Sequence, residues 1–317
     1  STQNEGWWRE AFDKLQIPYD YINVQTVSRD PNLNAKYDVI VFAPVGRDPQ
    51  SVVNGVPMYG NPLPWKKTDL TPNLTIDSTD DMRPGLGLTG VTNLQSFTRR
   101  GGLLITAMDT SDLAITFGLA PGVSFQRPQR LKLVGSILRA KLVDGSSPVA
   151  YGYGDSLAVY EDDGYIFNLS NVAGGRGGRR APEERETGRG TPDDPDVVQG
   201  RPPVEAPELP HAEVWQALPL TEEQVRNNPY VIPPAQRPRV IMRYADSREL
   251  FVSGLLDNGG EIAQHAAVVD VPVGSGHVLL FSNNPVWRGE THGSYFLVFN
   301  AILNFDSLNV GRTLDVR

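Results

Sequence analysis

Residues 268–305, VVDVPVGSGHVLLFSNNPVWRGETHGSYFLVFNAILNF, decide how the chain is read. Residues 268–273 alternate and run into the turn Gly274-Ser275-Gly276. Residues 277–281 then form a short continuous apolar run, the pattern of a strand buried on both faces. A polar loop over 282–293 follows, and Ser294 is placed to cap a helix at its exit. Tyr295, Val298, Phe299, Ile302 and Leu303 recur at helical spacing and make one apolar stripe. Buried strand, polar loop and amphipathic helix are the repeating unit of a wound α/β sheet, where ligands and catalysis sit at the carboxyl ends of strands. The loop carrying Asn283, Asn284, Trp287, Arg288, Glu290 and His292 lies at such an end.

Working outward, the same alternation recurs. Trp8, Ala11, Phe12 and Leu15 share a helical face that Ile17-Pro18 ends, and a short strand is expected over 19–24. Residues 39–43 read as a buried strand, yet the first helix has no strand of its own before it. Residues 44–91, rich in Pro, Gly, Asn and Asp, read as a long surface excursion. A helix carrying Leu94 and Phe97 should stop at Gly101-Gly102. A buried strand over 103–107 and a helix over 112–117 with an acidic first turn follow. Strands are expected at 131–134, 137–142, 157–160 and 165–169, and a pair of strands at 239–244 and 250–253. Residues 173–212 are low-complexity and almost free of large apolar side chains, which marks a surface insertion or tether.

At 317 residues, with 39% hydrophobic content, the chain holds a proper core and much loop. A net charge of −8 argues against a nucleic-acid-binding surface, and the acidic residues after the Arg-Gly start of the insertion nearly cancel its charge. No apolar run approaches a membrane span. The chain opens at STQNEGWW without a methionine, which fits a processed or trimmed product. Cysteine is absent, so disulfides, thiolate metal sites and cysteine nucleophiles are excluded together. That absence also fits a secreted or envelope protein.

The four histidines, His211, His265, His277 and His292, occur in no paired metal-ligand spacing, and His277 opens an apolar strand as a structural residue would. The turn after Ala107 has the strand-to-helix form of a nucleophile elbow, but it reads Met108-Asp109-Thr110-Ser111, with Ser111 better suited to capping. Gly85 to Gly90, GLGLTG, follows no buried strand and reads as a glycine loop. The loop after 281 therefore supplies the candidates: Asn283, Asn284, Trp287 and Arg288 for ligand binding, and Asp109, Glu290 and His292 for chemistry if they converge.

Several long motifs add a resemblance. GWWREAFDKLQIPYDYINVQ, AKYDVIVFAP, RRGGLLITAMDTSDLAITFGL, VGSILRAKLVDGSSPVAYGY, RELFVSGLLDNGGEIAQHAAVVDVP and the 268–305 stretch occur in this order. Together they resemble the carboxyl-terminal region of large bacterial secreted proteins of the zinc carboxypeptidase (carboxypeptidase A-like) family. That region is similar in fold to class I glutamine amidotransferases, a three-layer, mainly parallel sheet of flavodoxin type. The resemblance covers most of the chain outside 44–91 and the insertion. It implies a single α/β domain over 1–317 and a strand preceding Trp7, supplied by another segment or another chain.

The amidotransferase elbow cysteine corresponds to Met108-Asp109, and the His-Pro-Glu motif to Asn284-Pro285-Val286, which keeps only the proline. Nucleophile, base and orienting acid are all missing. No cofactor is expected in this chain, and zinc only in an absent peptidase domain. The resemblance therefore implies a non-catalytic accessory or assembly domain, with the zinc carboxypeptidase-like domain as its partner and no metal site of its own. Two other readings stay open: a self-assembling structural subunit using an exposed sheet edge, and an enzyme with new chemistry at the degenerate pocket.

Overall fold

The computed structural model describes residues 2–70, 72, 78–174 and 209–312. Helix α1 (Thr2–Lys14) buries Trp8, Ala11 and Phe12 and gives way to Gln16, which takes a φ of 55°. Leu15, expected on the same face, falls beyond the helix and is exposed. The strand expected over 19–24 does not form. Asn23 Oδ1 accepts from Thr26 N at 2.8 Å, a cap that starts helix α2 (Val24–Arg29) where the pattern read strand.

Strand β1 (Val39–Phe42) leads into the excursion, which is not only loop. Helix α3 (Pro49–Asn54) is capped by Asp48 and has Pro49 in its first turn. The buried Arg83 grips Asp81 through Nη2 at 2.6 Å. The glycines read as a loop enter helix α4 (Gly87–Arg99): Gly87 starts it at a φ of 64°, and a Cβ on Gly90 would overlap Leu86. The helix stops at Gly101-Gly102, as the sequence predicts, and a Cβ on Gly102 would sit inside the Phe97 ring.

Strand β2 (Leu103–Ala107) passes through Met108 into α5 (Asp109–Thr116), which begins three residues before the expected Asp112. Strand β3 (Val123–Gln126) was not legible in the pattern. Then come β4 (Lys132–Leu133), β5 (Ser136–Leu142), β6 (Ser156–Glu161) and β7 (Ile166–Leu169), close to their expected places. Of the expected insertion at 173–212, residues 175–208 lie outside the described residues. Helix α6 (Glu222–Asn227) carries a Thr221–Gln224 capping box. The chain closes with β8 (Arg239–Tyr244), β9 (Phe251–Ser253), β10 (Leu256–Asp257), β11 (Ala266–Val273), β12 (Gly276–Phe281) and α7 (His292–Leu303). Ser294 does not cap α7; its hydroxyl donates to Pro285 O at 2.6 Å and Thr291 O at 2.8 Å.

The main sheet runs β1-β2-β12-β11-β8-β5-β6, with β3 and β7 joined to it through β11, and β4 pairs with β10 apart from it. This is a mixed α/β sheet. Following the pairings, β1, β2, β12, β8 and β6 point one way and β11 and β5 the other. Most strands on the path are thus mutually parallel in direction, yet only β1–β2 and β2–β12 are parallel neighbours. The expected mainly parallel ladder gives way to antiparallel pairing beyond β12, because Gly274 and Ser275 turn β11 straight back as β12. β8 and β9 do not pair with each other as expected; they divide one edge of β5 between them.

The continuous apolar runs are explained by cover on both faces. Leu103, Ile105, Leu279 and Phe281 face a layer with Trp8, Phe12, Leu297, Val298 and Phe299 of α1 and α7. Leu104, Val278, Leu280 and Ile40 face Val27, Leu94, Phe97 and Leu113 of α2, α4 and α5. Truncating one of these fully buried leucines to alanine should cost about 2–5 kcal/mol. At the far end of β12, His277 is structural: its Nδ1 meets the Asp270 Oδ1 at 2.7 Å, and Arg312 holds the other oxygen at 2.7 Å.

Candidate functional site

The elbow is built where β2 ends between its parallel neighbours. Met108 takes φ 54° and ψ −118°, a conformation costly for a residue with a Cβ, and its N–H donates to Phe281 O at 2.8 Å. The sharp strand-to-helix turn of a nucleophile elbow is therefore present, occupied by a buried thioether. Ser111, expected as a cap, is buried instead and donates to Phe281 O at 3.0 Å. Thr110 donates to Phe42 O at 2.6 Å, so the turn is tied to both adjacent strands.

Asp109 follows the elbow residue and is nearly buried. Its carboxylate accepts from Val45 N at 3.0 Å and Arg47 N at 3.2 Å, fixing the loop after β1. Burial pushes its pKa up, opposed by the backbone donors of Arg47 and Val45. Glu290 lies exposed on the loop after β12 and His292 exposed at the start of α7, its ring perpendicular to that of Tyr295 with centroids 5.3 Å apart. Among the described residues no hydrogen bond or ion pair joins Asp109 to either of them.

The four residues expected to bind a ligand divide in two. Asn283 and Asn284 are fully buried: Asn283 Nδ2 donates to Ala267 O at 3.2 Å, and Asn284 Oδ1 accepts from Trp8 Nε1 at 3.1 Å. They fasten the loop to β11 and α1. Trp287 stacks on Tyr160 with ring centroids 4.4 Å apart, and exposed Arg288 lies 5.8 Å from the Trp287 ring. Only Trp287 and Arg288 of the four present surface to solvent.

Sequence reasoning missed the polar group beneath this loop. Glu161, at the end of β6, is fully buried, and burial raises its pKa to about 8, so it is mostly protonated at neutral pH. Tyr244, at the end of β8, donates to Glu161 and meets Ser282 Oγ at 2.9 Å. Burial also raises neighbouring Asp162 to about 6, with Asp163 adding to the shift. The run Tyr160-Glu161-Asp162-Asp163 closing an apolar strand was the available signal, although its partners come from distant segments.

Among the described residues no three His, Asp or Glu side chains come together in a metal-holding group, and no helix is long and apolar enough to cross a membrane. A cleft of about 770 Å³ lies not at this loop but along the outer edge of β1.

No protein-family profile matches the chain, and no curated protein is significantly similar to it. Among solved structures, the chain is similar to Cytoplasmic Protein STM3548 from Salmonella typhimurium at 11% identity and a TM-score of 0.43, covering 94% of this chain and 85% of that one. Cytoplasmic Protein STM1381 from Salmonella typhimurium LT2 aligns at 8% identity and a TM-score of 0.41, covering 96% and 84%. Likeness at this level carries no functional inference.

Proposed function

We propose that this chain is a non-catalytic accessory and assembly domain, of class I glutamine amidotransferase-like type, belonging to a secreted or envelope zinc carboxypeptidase-like protein. The observation that carries the non-catalytic part is Met108. The turn that would present a nucleophile keeps its strained backbone, but holds a side chain that cannot attack, 2% exposed. Two neighbouring carboxyls are engaged within the fold: Asp109 by the 45–47 amides and Glu161 by Tyr244. The link to a zinc carboxypeptidase-like partner rests on the sequence motifs alone.

The domain should show no turnover of glutamine, aryl esters or peptide amides above background, and Asp109→Asn should leave turnover at that background. A rate above background that disappears in Asp109→Asn overturns the non-catalytic reading. Isolation from the native source should yield the chain with a polypeptide carrying an HxxE zinc site and zinc-dependent carboxypeptidase activity. Isolation free of any such polypeptide overturns the partner assignment. A structural subunit that assembles through its sheet edge is the second reading, favoured by the edge of β1 that has no strand partner among the described residues.

A further inference from the structure

At its β5–β6 end the sheet gathers cations on one face. Leu138 and Ala140 of β5 are buried in the layer with α1 and α7, so the alternate residues Arg139 and Lys141 point the opposite way. Lys141 stands opposite Arg243 of β8 in the antiparallel register. The two cations are therefore direct neighbours on that face, an arrangement that costs stability. Ser156 and Ala158 of β6, opposite Lys141 and Arg139, are small and exposed, which leaves that side of the face open.

Arg243 is anchored but not neutralised. Its Nη1 donates to Gln264 O at 3.1 Å and to Trp215 O, while its Nε and Nη2 donate to no described residue and keep contact with solvent. That Nε–Nη2 edge is one that can grip an oxyanion by two parallel bonds. Burial lowers the pKa of Arg243 to about 10, with no carboxylate acting against the shift, so it stays charged at neutral pH. Trp215 stacks on His265 with ring centroids 4.3 Å apart. It is 6% exposed, and its Nε1 has no acceptor among the described residues.

The carboxylates nearby are engaged elsewhere. Glu249 pairs with Lys141, and Asp246 accepts from Ala212 N at 3.0 Å and meets His211 Nδ1 at 3.2 Å. Among the described residues neither Arg139 nor Arg243 has an ion-pair partner. Arg139 lies diagonally across the ladder from Arg243, a separation of about 7–8 Å that two long side chains can close. A largely buried cation without a counter-ion is costly, and an anion between the two guanidiniums relieves both. A carboxylate fills one fork, whereas a phosphate group, with about two charges and three oxygens, bridges two.

We propose that Arg243 and Arg139 form a binding site for the phosphate group of a small-molecule ligand, on the face of β5 and β8 beside Trp215. Such a site goes beyond the accessory-domain reading and stands or falls apart from it. Calorimetric titration of the full chain with inorganic phosphate, at neutral pH and fixed ionic strength, should give one site with a Kd below about 1 mM. Acetate should bind about tenfold more weakly or less. Arg243→Lys keeps the charge and loses the fork, and Arg139→Gln removes the second guanidinium; each should weaken phosphate by about tenfold or more. Lys14→Gln, which removes a cation paired with Glu10 on α1, should bind as the wild type does.

The proposal is overturned if the wild type takes up no phosphate at about 10 mM, or if acetate binds as tightly. It is also overturned if either arginine variant binds like the wild type, or if Lys14→Gln weakens phosphate as much as they do, since bulk charge then explains the binding. A wild-type urea midpoint in each variant separates lost binding from lost folding. Should Arg243→Lys unfold, the partly exposed Arg139 decides alone.

Discussion

Replacing Glu161 by glutamine should change how stability depends on pH. Glu161 is fully buried at the end of β6, with Tyr244 donating to it and Gly164 N donating at 3.0 Å. Burial moves its pKa from the ordinary 4.5 to about 8. Between those values the folded protein holds a proton that the unfolded chain has released. Stability from this group is therefore complete below about pH 4.5 and is lost as pH rises through 8. At about 1.4 kcal/mol per pH unit, the loss across that window is on the order of 5 kcal/mol. Glutamine keeps the shape and cannot ionise. Urea unfolding at pH 5, 6, 7 and 8 should show Glu161→Gln gaining on the wild type by about 1.4 kcal/mol per unit. The raised carboxyls of Asp109, Asp112, Asp162 and Asp163 are common to both proteins, so the difference isolates Glu161. A difference independent of pH would refute the assignment of a buried, protonated Glu161.

Two further outcomes test the scaffold. At Met108 the usual order of small residues should invert: Met108→Gly should be more stable than Met108→Ala by about 1 kcal/mol, because only glycine accepts a φ of 54° without strain, and urea midpoints read the pair. Asp270→Ala leaves the buried His277 and the partly buried Arg312 without their carboxylate and should cost about 3–5 kcal/mol in the same assay, with a loss under about 1 kcal/mol overturning that role.

The parts legible in sequence were those whose neighbours did not matter. β2 and β12 announce themselves because cover on both faces makes nearly every residue apolar, and α4 ends where Gly102 meets the Phe97 ring. What failed depended on partners. Tyr19 to Val24 has strand-like residues, but without a ladder partner 19–23 form no strand, and the Asn23 cap starts α2 at Val24. The direction of β11 is set by its turn rather than its composition. At the site, the residue types of the loop were legible but not their contacts: Asn283 and Asn284 turn inward to β11 and α1, and only the folded neighbours show it. Glu161, Tyr244 and Ser282 come from three remote segments and share no spacing.

The place of β12 beside β2 bears on how the protein is made. Thr106 and Leu279, neighbours across that ladder, are 173 residues apart in sequence. A ribosome adding roughly 5–20 residues per second needs roughly ten to thirty-five seconds to cover that distance. Throughout, β2 has β1 on one side and an open aliphatic edge on the other. The growing chain is thus most prone to aggregation in mid-synthesis, and the late arrival of the β11–β12 hairpin closes the exposed edge.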